Sequence, residues 1–313
     1  MKNRILLFLI LILVLLSSCA KPGSLAVEPL DTTPRVAVLS AFSPEIKDLQ
    51  KALELQNSYV INGRTFYTGT LSGQEVVLSL TGVSMVNAAM AAQTTIDYFN
   101  VQAMIFSGIA GGVNPELSIG DVVVPAQWGQ YQEQLFARED GNSWDTGTDS
   151  SDYGNYGMMF PQDVSVVKPG GNPDEEEERF WFPASQEMLE AAENLVGRVD
   201  LEDCTLLGGC LEEPPQIVVG GNGVSGQTFV DNASYRTWVW ETFQADAVDM
   251  ESAAVAHATY VNEIPFIAFR SLSDLAGGGP GENKIGIFFQ LAAGNSARVV
   301  EAFLEIWGPL ASE

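Results

Sequence analysis

The stretch ADAVDMESAAVAHATYV, Ala245 to Val261, decides the fold. Its first six residues read as a buried strand, and the following residues, from Glu251 on, read as a helix of small apolar side chains. A strand that passes directly into a helix is the repeating unit of an α/β protein. Two acids, Asp249 and Glu251, stand at the junction. Each can simply complement the first turn of the helix, or serve a ligand where a strand ends.

The same alternation extends outward in both directions. Upstream, RVAVLS (Arg35 to Ser40) reads as a strand and PEIKDLQKALEL (Pro44 to Leu55) as an amphipathic helix with proline in its first turn. TFYTGTLSGQEVVLSLTG reads as two strands around LSGQ, and SMVNAAMAAQTTIDYF (Ser84 to Phe99) as a helix. VQAMIFSGIAGG is a strand that runs into a glycine turn, and DVVVPA is another strand. From Gln127 to about Glu178 periodicity fades into Gly, Asp, Ser, Asn and Tyr, the composition of a long surface loop. The acid run Asp174 to Glu178 is read there as solvated loop. Regular structure resumes with a helix at Ser185 to Val196, the strand QIVVGG, a helix at Ala233 to Phe243, the quoted stretch, the strand PFIAFRSL and a closing helix from about Ile285 to Trp307. The expected fold is a three-layer α/β sandwich around a central mixed twisted sheet. No internal repeat is visible, so residues 35–313 are read as one domain with an insertion at about 127–183.

The first residues are a separate matter. MKNR supplies positive charge, ILLFLILILVLL is uninterrupted apolar sequence, and LSSC follows at Leu16 to Cys19. The apolar run is short for a membrane span and has the charged front and small-residue exit of a processed signal. Residues 1–18 are therefore expected to be a lipoprotein signal peptide, Cys19 a lipidated N-terminus, and residues 19–34 a tether. The expected location is outside the cytoplasm, anchored to the cell envelope by lipid.

Charge narrows the partners. Fifteen basic residues face 40 acidic ones, a formal balance of −25; without Lys2 and Arg4 of the signal, 13 against 40 gives −27. Such a surface repels phosphate backbones, which argues against nucleic-acid polymers but not against a neutral nucleoside. Cys204 and Cys210 bracket TLLGG, and outside the cytoplasm they are expected to form a small disulfide loop bent at Gly208 and Gly209. His257 is the sole histidine and no second cysteine pair exists, so no zinc site is expected.

Four places at strand ends hold residues suited to chemistry: Ser43 to Glu45, Gly108 to Gly112, Asp249 to Glu251, and Ser271 to Asp274. Singly each is ordinary. Glu45 and Glu251 suit helix starts, Asp274 suits a turn, and GIAGG lacks the Lys and Ser/Thr of a phosphate loop. Jointly, SAFSPEI, GIAGG, SGQTFV, VDMESAAVAH and FRSLSDLAGG resemble, in order and approximate spacing, the nucleoside phosphorylase and hydrolase superfamily. Within it the chain looks most like 5'-methylthioadenosine/S-adenosylhomocysteine nucleosidases. In its signal segment, long insertion and paired cysteines it looks closest to the plant bark and vegetative storage proteins. The resemblance covers about Arg35 to Trp307.

The resemblance implies hydrolysis of the N-glycosidic bond of a purine nucleoside, with no cofactor and with dimers or larger homo-oligomers. It implies that Asp274 protonates the purine at N7, that Ser273 helps to place it, and that Glu45 activates water. This division of labour parallels the paired acids of glycoside hydrolysis. It also implies that Glu251 binds the ribose hydroxyls with Met250 against the sugar. Phe229 then stacks on the purine, and the Val230 backbone meets the base edge. Ile109, Ala110 and Gly111 bring backbone close to the ligand, and Arg270 pairs with one of the acids. The loops SAFSPEI and TGVSMVNA, which match a phosphorylase's phosphate loops, contain no arginine, so water is the expected nucleophile. His257 lies six positions after Glu251, about 240° around a helix, and is read as structural. FWFP at Phe180 to Pro183 either lines the pocket or packs, and the insertion is expected to shape the pocket side that faces the 5' substituent. A storage-type protein that binds a nucleoside with little turnover is the competing reading.

Overall fold

The computed structural model describes residues 28–147, 151–167, 175–279 and 281–308. The signal segment, Cys19 and most of the expected tether lie outside the described residues. The chain begins with β1 (Asp31–Ser40), helix α1 (Ser43–Ala52) and the antiparallel meander β2 (Glu54–Ile61), β3 (Arg64–Leu71) and β4 (Gln74–Leu80). Both meander turns, Asn62-Gly63 and Ser72-Gly73, place two successive residues at positive φ, the twist that two-residue hairpins require. Helix α2 (Met85–Tyr98) leads into the long β5 (Phe99–Gly112), then β6 (Val122–Val124) and β7 (Gln127–Gly129). Six short strands follow: β8 (Gln134–Phe136), β9 (Arg138–Asp140), β10 (Ser143–Asp145), β11 (Met159–Pro161), β12 (Val164–Val167) and β13 (Glu176–Arg179). The chain continues with β14 (Trp181–Pro183), α3 (Gln186–Glu193), β15 (Ile217–Val219) and β16 (Asn222–Ser225). It ends with α4 (Ala233–Phe243), β17 (Ala245–Asp249), α5 (Ser252–Val261), β18 (Phe266–Asp274) and α6 (Ile285–Ile306).

Among the described residues twelve strands form one mixed sheet, ordered β14-β7-β16-β17-β5-β1-β4-β3-β2, with β18 also on β5 and β6 joining β18 to β15. The β4, β1, β5 and β18 pairings are parallel, so these strands bury both faces. Alternation along β1 divides the core. Val36 and Val38 face a layer built from α1, α3 and α6, whereas Ala37 and Leu39 face α2 and α5. Helices α2 and α5 meet through small residues, with Ala88, Ala91 and Ala92 on one and Ala253, Ala254 and Ala256 on the other buried. Small side chains let helix axes come close. The result is the expected three-layer sandwich around a mixed sheet.

Three expectations need correction. The strand begins four residues before the expected domain boundary at Arg35: Asp31 lies opposite Phe99, and its carboxylate takes Arg35 Nε at 2.8 Å. The tether therefore overlaps ordered strand. Strand β2 takes Glu54 and Leu55 from the end of the expected helix, and the rest of it carries no strand signal, because six of its eight residues are exposed and give no alternation. The stretch from Gln127 is not a plain loop. β7 and β14 extend the main sheet, β8 pairs with β11, β9 with β10, and β12 with β13. Glu176 to Glu178 of the acid run form part of β13, on a two-stranded ribbon at the surface. Strands of three or four polar residues are too short to show a period.

Candidate active site

The carboxyl ends of β1, β5, β17 and β18 open on one cleft, as expected for a crevice beyond strand ends. Its volume is about 190 Å³, room for one small molecule. Glu45, Ser273 and Asp274 line it, as do Met250, Glu251 and Arg270. Ile109, Ala110 and Gly111 supply backbone on one side, and Phe229 with Val230 on another. All eleven residues singled out for catalysis or substrate binding thus meet around one cavity.

Glu45 is fixed by backbone. Its Oε2 accepts from Ala41 N–H at 2.7 Å and Phe42 N–H at 3.2 Å, and its Oε1 from Ile109 N–H at 2.8 Å. The acid thereby ties the start of α1 to the ends of β1 and β5. Burial pushes its carboxyl above the usual value, while Arg270 and the three N–H groups oppose that rise. Glu251 accepts Ser84 N–H at 2.7 Å, delivered by a residue at φ 96°, an uncommon backbone state for a side chain with a Cβ. Burial pushes the Glu251 carboxyl up to about 7, with Arg270 and Ser84 opposing and Asp249 and Glu45 adding to the rise.

Arg270 is the hub. It lies 1% exposed, its guanidinium 4.7 Å from the Phe106 ring centre. It approaches Asp249 at 3.0 Å, Glu251 at 3.2 Å and Glu45 at 3.9 Å, so the single expected partner becomes three. Burial alone would lower its pKa, but Asp249, Glu45 and Glu251 together hold it above the ordinary value. A Cβ at Gly108 would stand 2.2 Å from Glu45 Oε1 and 2.4 Å from Arg270 Nη1, so any larger residue there would displace this pair.

Asp274 ends β18 and is buried. It accepts Ala276 N–H at 2.8 Å and the Ser273 hydroxyl at 2.9 Å. Burial raises its pKa, the hydrogen bonds from Ala276, Ser273 and Asn283 lower it, and the charge of Asp231 raises it. Phe229 stands half-exposed at the rim, whereas Val230 is buried.

Asp249 is a residue to which the resemblance assigns no role. It accepts from the hydroxyls of Ser225 and Ser252 and from the N–H groups of Glu251 and Ser252, and it holds Arg270. Its signal was its place as the last residue of a buried strand. Within the insertion no described residue lines the cleft, contrary to expectation. Its influence is indirect: Gln132 Oε1 accepts Gln227 N–H at 2.6 Å and so braces the segment that carries Phe229. Phe180 and Phe182 pack in the core rather than line the cleft, and Phe182 stacks on His257 at 4.6 Å. His257 accordingly takes a packing role, its Nδ1 2.9 Å from Gln130 Nε2. Cys204 and Cys210 are joined, with Sγ atoms 2.09 Å apart, around a turn at Gly208.

A three-layer α/β sandwich with a small-molecule cleft at these strand ends is the nucleoside phosphorylase-like fold. The chain belongs to the phosphorylase superfamily, which it matches over residues 35–305. It is 28% identical over 242 residues to bark storage protein A of Populus deltoides, covering 75% of this chain and 74% of that one. It is 27% identical over 244 residues to a 5'-methylthioadenosine/S-adenosylhomocysteine nucleosidase of Bacillus cereus, covering 78% and 87%. Among solved structures, the Neisseria meningitidis nucleosidase of that name, in complex with methylthio-immucillin-A, superposes with a TM-score of 0.63 at 25% identity, covering 87% and 98%. Futalosine hydrolase of Helicobacter pylori shares the fold, with a TM-score of 0.63 at 20% identity, covering 87% and 97%.

Proposed function

We propose that this protein hydrolyses the N-glycosidic bond of a purine nucleoside of the methylthioadenosine, S-adenosylhomocysteine or adenosine type, releasing the free base. The observation that carries this reading is the cavity itself. Glu45, Glu251 and Asp274 line it together, and Arg270, the one basic residue lining it among the described residues, is committed to carboxylates. A phosphate nucleophile would need free cations there, and water does not.

In the reaction the bond from the sugar's anomeric carbon to the purine breaks, and its electron pair leaves with the base. Asp274 gives its proton to N7 of the departing purine. Water adds to the anomeric carbon and loses a proton to Glu45. Glu251 accepts hydrogen bonds from the ribose hydroxyls, and Phe229 covers the base. The kinship with bark storage proteins supports a second reading, a binding protein with little turnover.

Incubation with a panel of nucleosides, with and without phosphate, separates the two. The expected result is free purine and free sugar, independent of phosphate. Glu45→Gln is expected to slow release about 10²-fold or more without opening a phosphate route. Release of no base from any nucleoside would defeat the enzyme reading, and ribose 1-phosphate would show that the nucleophile is wrong.

We further propose export and anchoring through Cys19. The joined cysteines Cys204 and Cys210 support an oxidising compartment. Cells fed labelled fatty acid are expected to label the wild type and not Cys19→Ser; equal labelling, or none in either, would count against the anchor.

A further inference from the structure

The hydrogen bonds to Asp274 are unequally shared between its oxygens. Oδ1 takes both Ala276 N–H at 2.8 Å and Asn283 Nδ2 at 3.3 Å, whereas Oδ2 takes the Ser273 hydroxyl at 2.9 Å. Asn283 is itself held from two sides. Its Oδ1 accepts Ile285 N–H at 2.9 Å, and its Nδ2 also donates to Asp231 Oδ1 at 3.0 Å. The amide so fixed presents N–H, and not its carbonyl, to both carboxylates.

Asp231 and Asn283 do not line the substrate cleft. They line a second cavity of about 540 Å³, reached from Glu212 and Glu213 on one side and Gly277 to Gly279 on another. Asn283 therefore touches the acid from behind. A carboxyl oxygen that already accepts two N–H donors has both lone pairs engaged and cannot also carry a proton without losing one of them.

We propose that Asn283, held in register by Asp231, is a positioning residue that confines the transferable proton of Asp274 to Oδ2. This rests on the reading of Asp274 as the acid that protonates the leaving base. The electrostatics point the same way. The Asn283 hydrogen bond favours the ionised acid and the Asp231 charge favours the protonated one, so the pair balances the loading of the proton. The other charged groups are otherwise engaged or face elsewhere. Glu45, Asp249, Glu251 and Arg270 are tied to one another, Arg236 on α4 donates to the carbonyls of Gly112 and Asn114, and Glu282 and Lys284 flank Asn283 in the second cavity.

The test is to titrate the Asp274 carboxyl by carbon NMR in protein labelled at aspartate, with D274N identifying the signal. The midpoint is expected to move up in N283A and down in D231N. In N283A, kcat for a nucleoside should also fall about tenfold with KM unchanged, because the acid loses its alignment. An unmoved midpoint in N283A overturns the proposal; should N283A not fold, an unmoved midpoint in D231N overturns it equally. The titration needs no turnover, so this failure is distinct from failure of the hydrolase reading, which falls if D274N releases base as fast as wild type.

Discussion

Asp274→Asn is expected to lower kcat for nucleoside cleavage by about 10²- to 10⁴-fold while leaving KM within about twofold. The substitution keeps the shape of the side chain, so the cavity and the Ser273 and Ala276 contacts can persist. What it removes is the proton. A purine leaving as an anion is a poor leaving group, and the lost rate corresponds to about 3 to 5 kcal/mol of transition-state stabilisation. The pH profile adds a signature. A donor works only while protonated, and burial raises the Asp274 pKa, so the alkaline limb of the wild type should lie above the ordinary carboxylate range. That limb should vanish in D274N. A variant with kcat within twofold of wild type would remove Asp274 from the mechanism.

Arg270→Met is expected to be the most damaging single change to stability, about 3–5 kcal/mol by chemical denaturation near pH 8. The methionine stem can still pack on Phe106, but Asp249, Glu251 and Glu45 lose the cation they share. The sign of the pH dependence follows from Glu251. Its folded pKa of about 7 lies above the ordinary 4.5, so the folded state holds the proton more tightly than the unfolded chain. The stability from that proton is complete below about 4.5 and is lost as pH rises through about 7. Without Arg270, which lowers this pKa, the loss should extend to higher pH. The deficit of R270M against wild type should therefore be largest above pH 7 and shrink towards 4.5. Equal stability of the two proteins at pH 8 would mean that the ion cluster does not hold the fold.

Much of this site was legible because its parts sit at strand ends. Glu45, Glu251 and Asp274 each follow a strand whose buried side chains announce it, and the order of the motifs did the rest. Asp249 carried the same positional signal, yet nothing in the sequence reveals that Arg270 would gather three carboxylates, because that depends on β17 and β18 meeting α1 across the sheet. Asn283 and Asp231 were invisible for a similar reason: they lie in loops 52 positions apart, and neither loop has a period. The fold failed to read where burial is one-sided or strands are short. Exposed β2 and the three-residue strands after Gln127 give no alternation, whereas β5 and β18, buried along most of their length, carry the apolar runs Ala103 to Phe106 and Phe266 to Phe269 that announce them.

The way Glu45 is held divides the cleft into unequal halves. On its side the wall is tied to main chain, at Ala41, Phe42 and Ile109, beside a glycine whose replacement would displace the acid. The cleft is also lined by the side chains of Val83 and Phe229, each about half open to solvent. Redesign towards a bulkier nucleoside has its tolerance there. Natural drift has the same freedom there, whereas Glu45 and Arg270 can scarcely vary without disturbing the core that holds them.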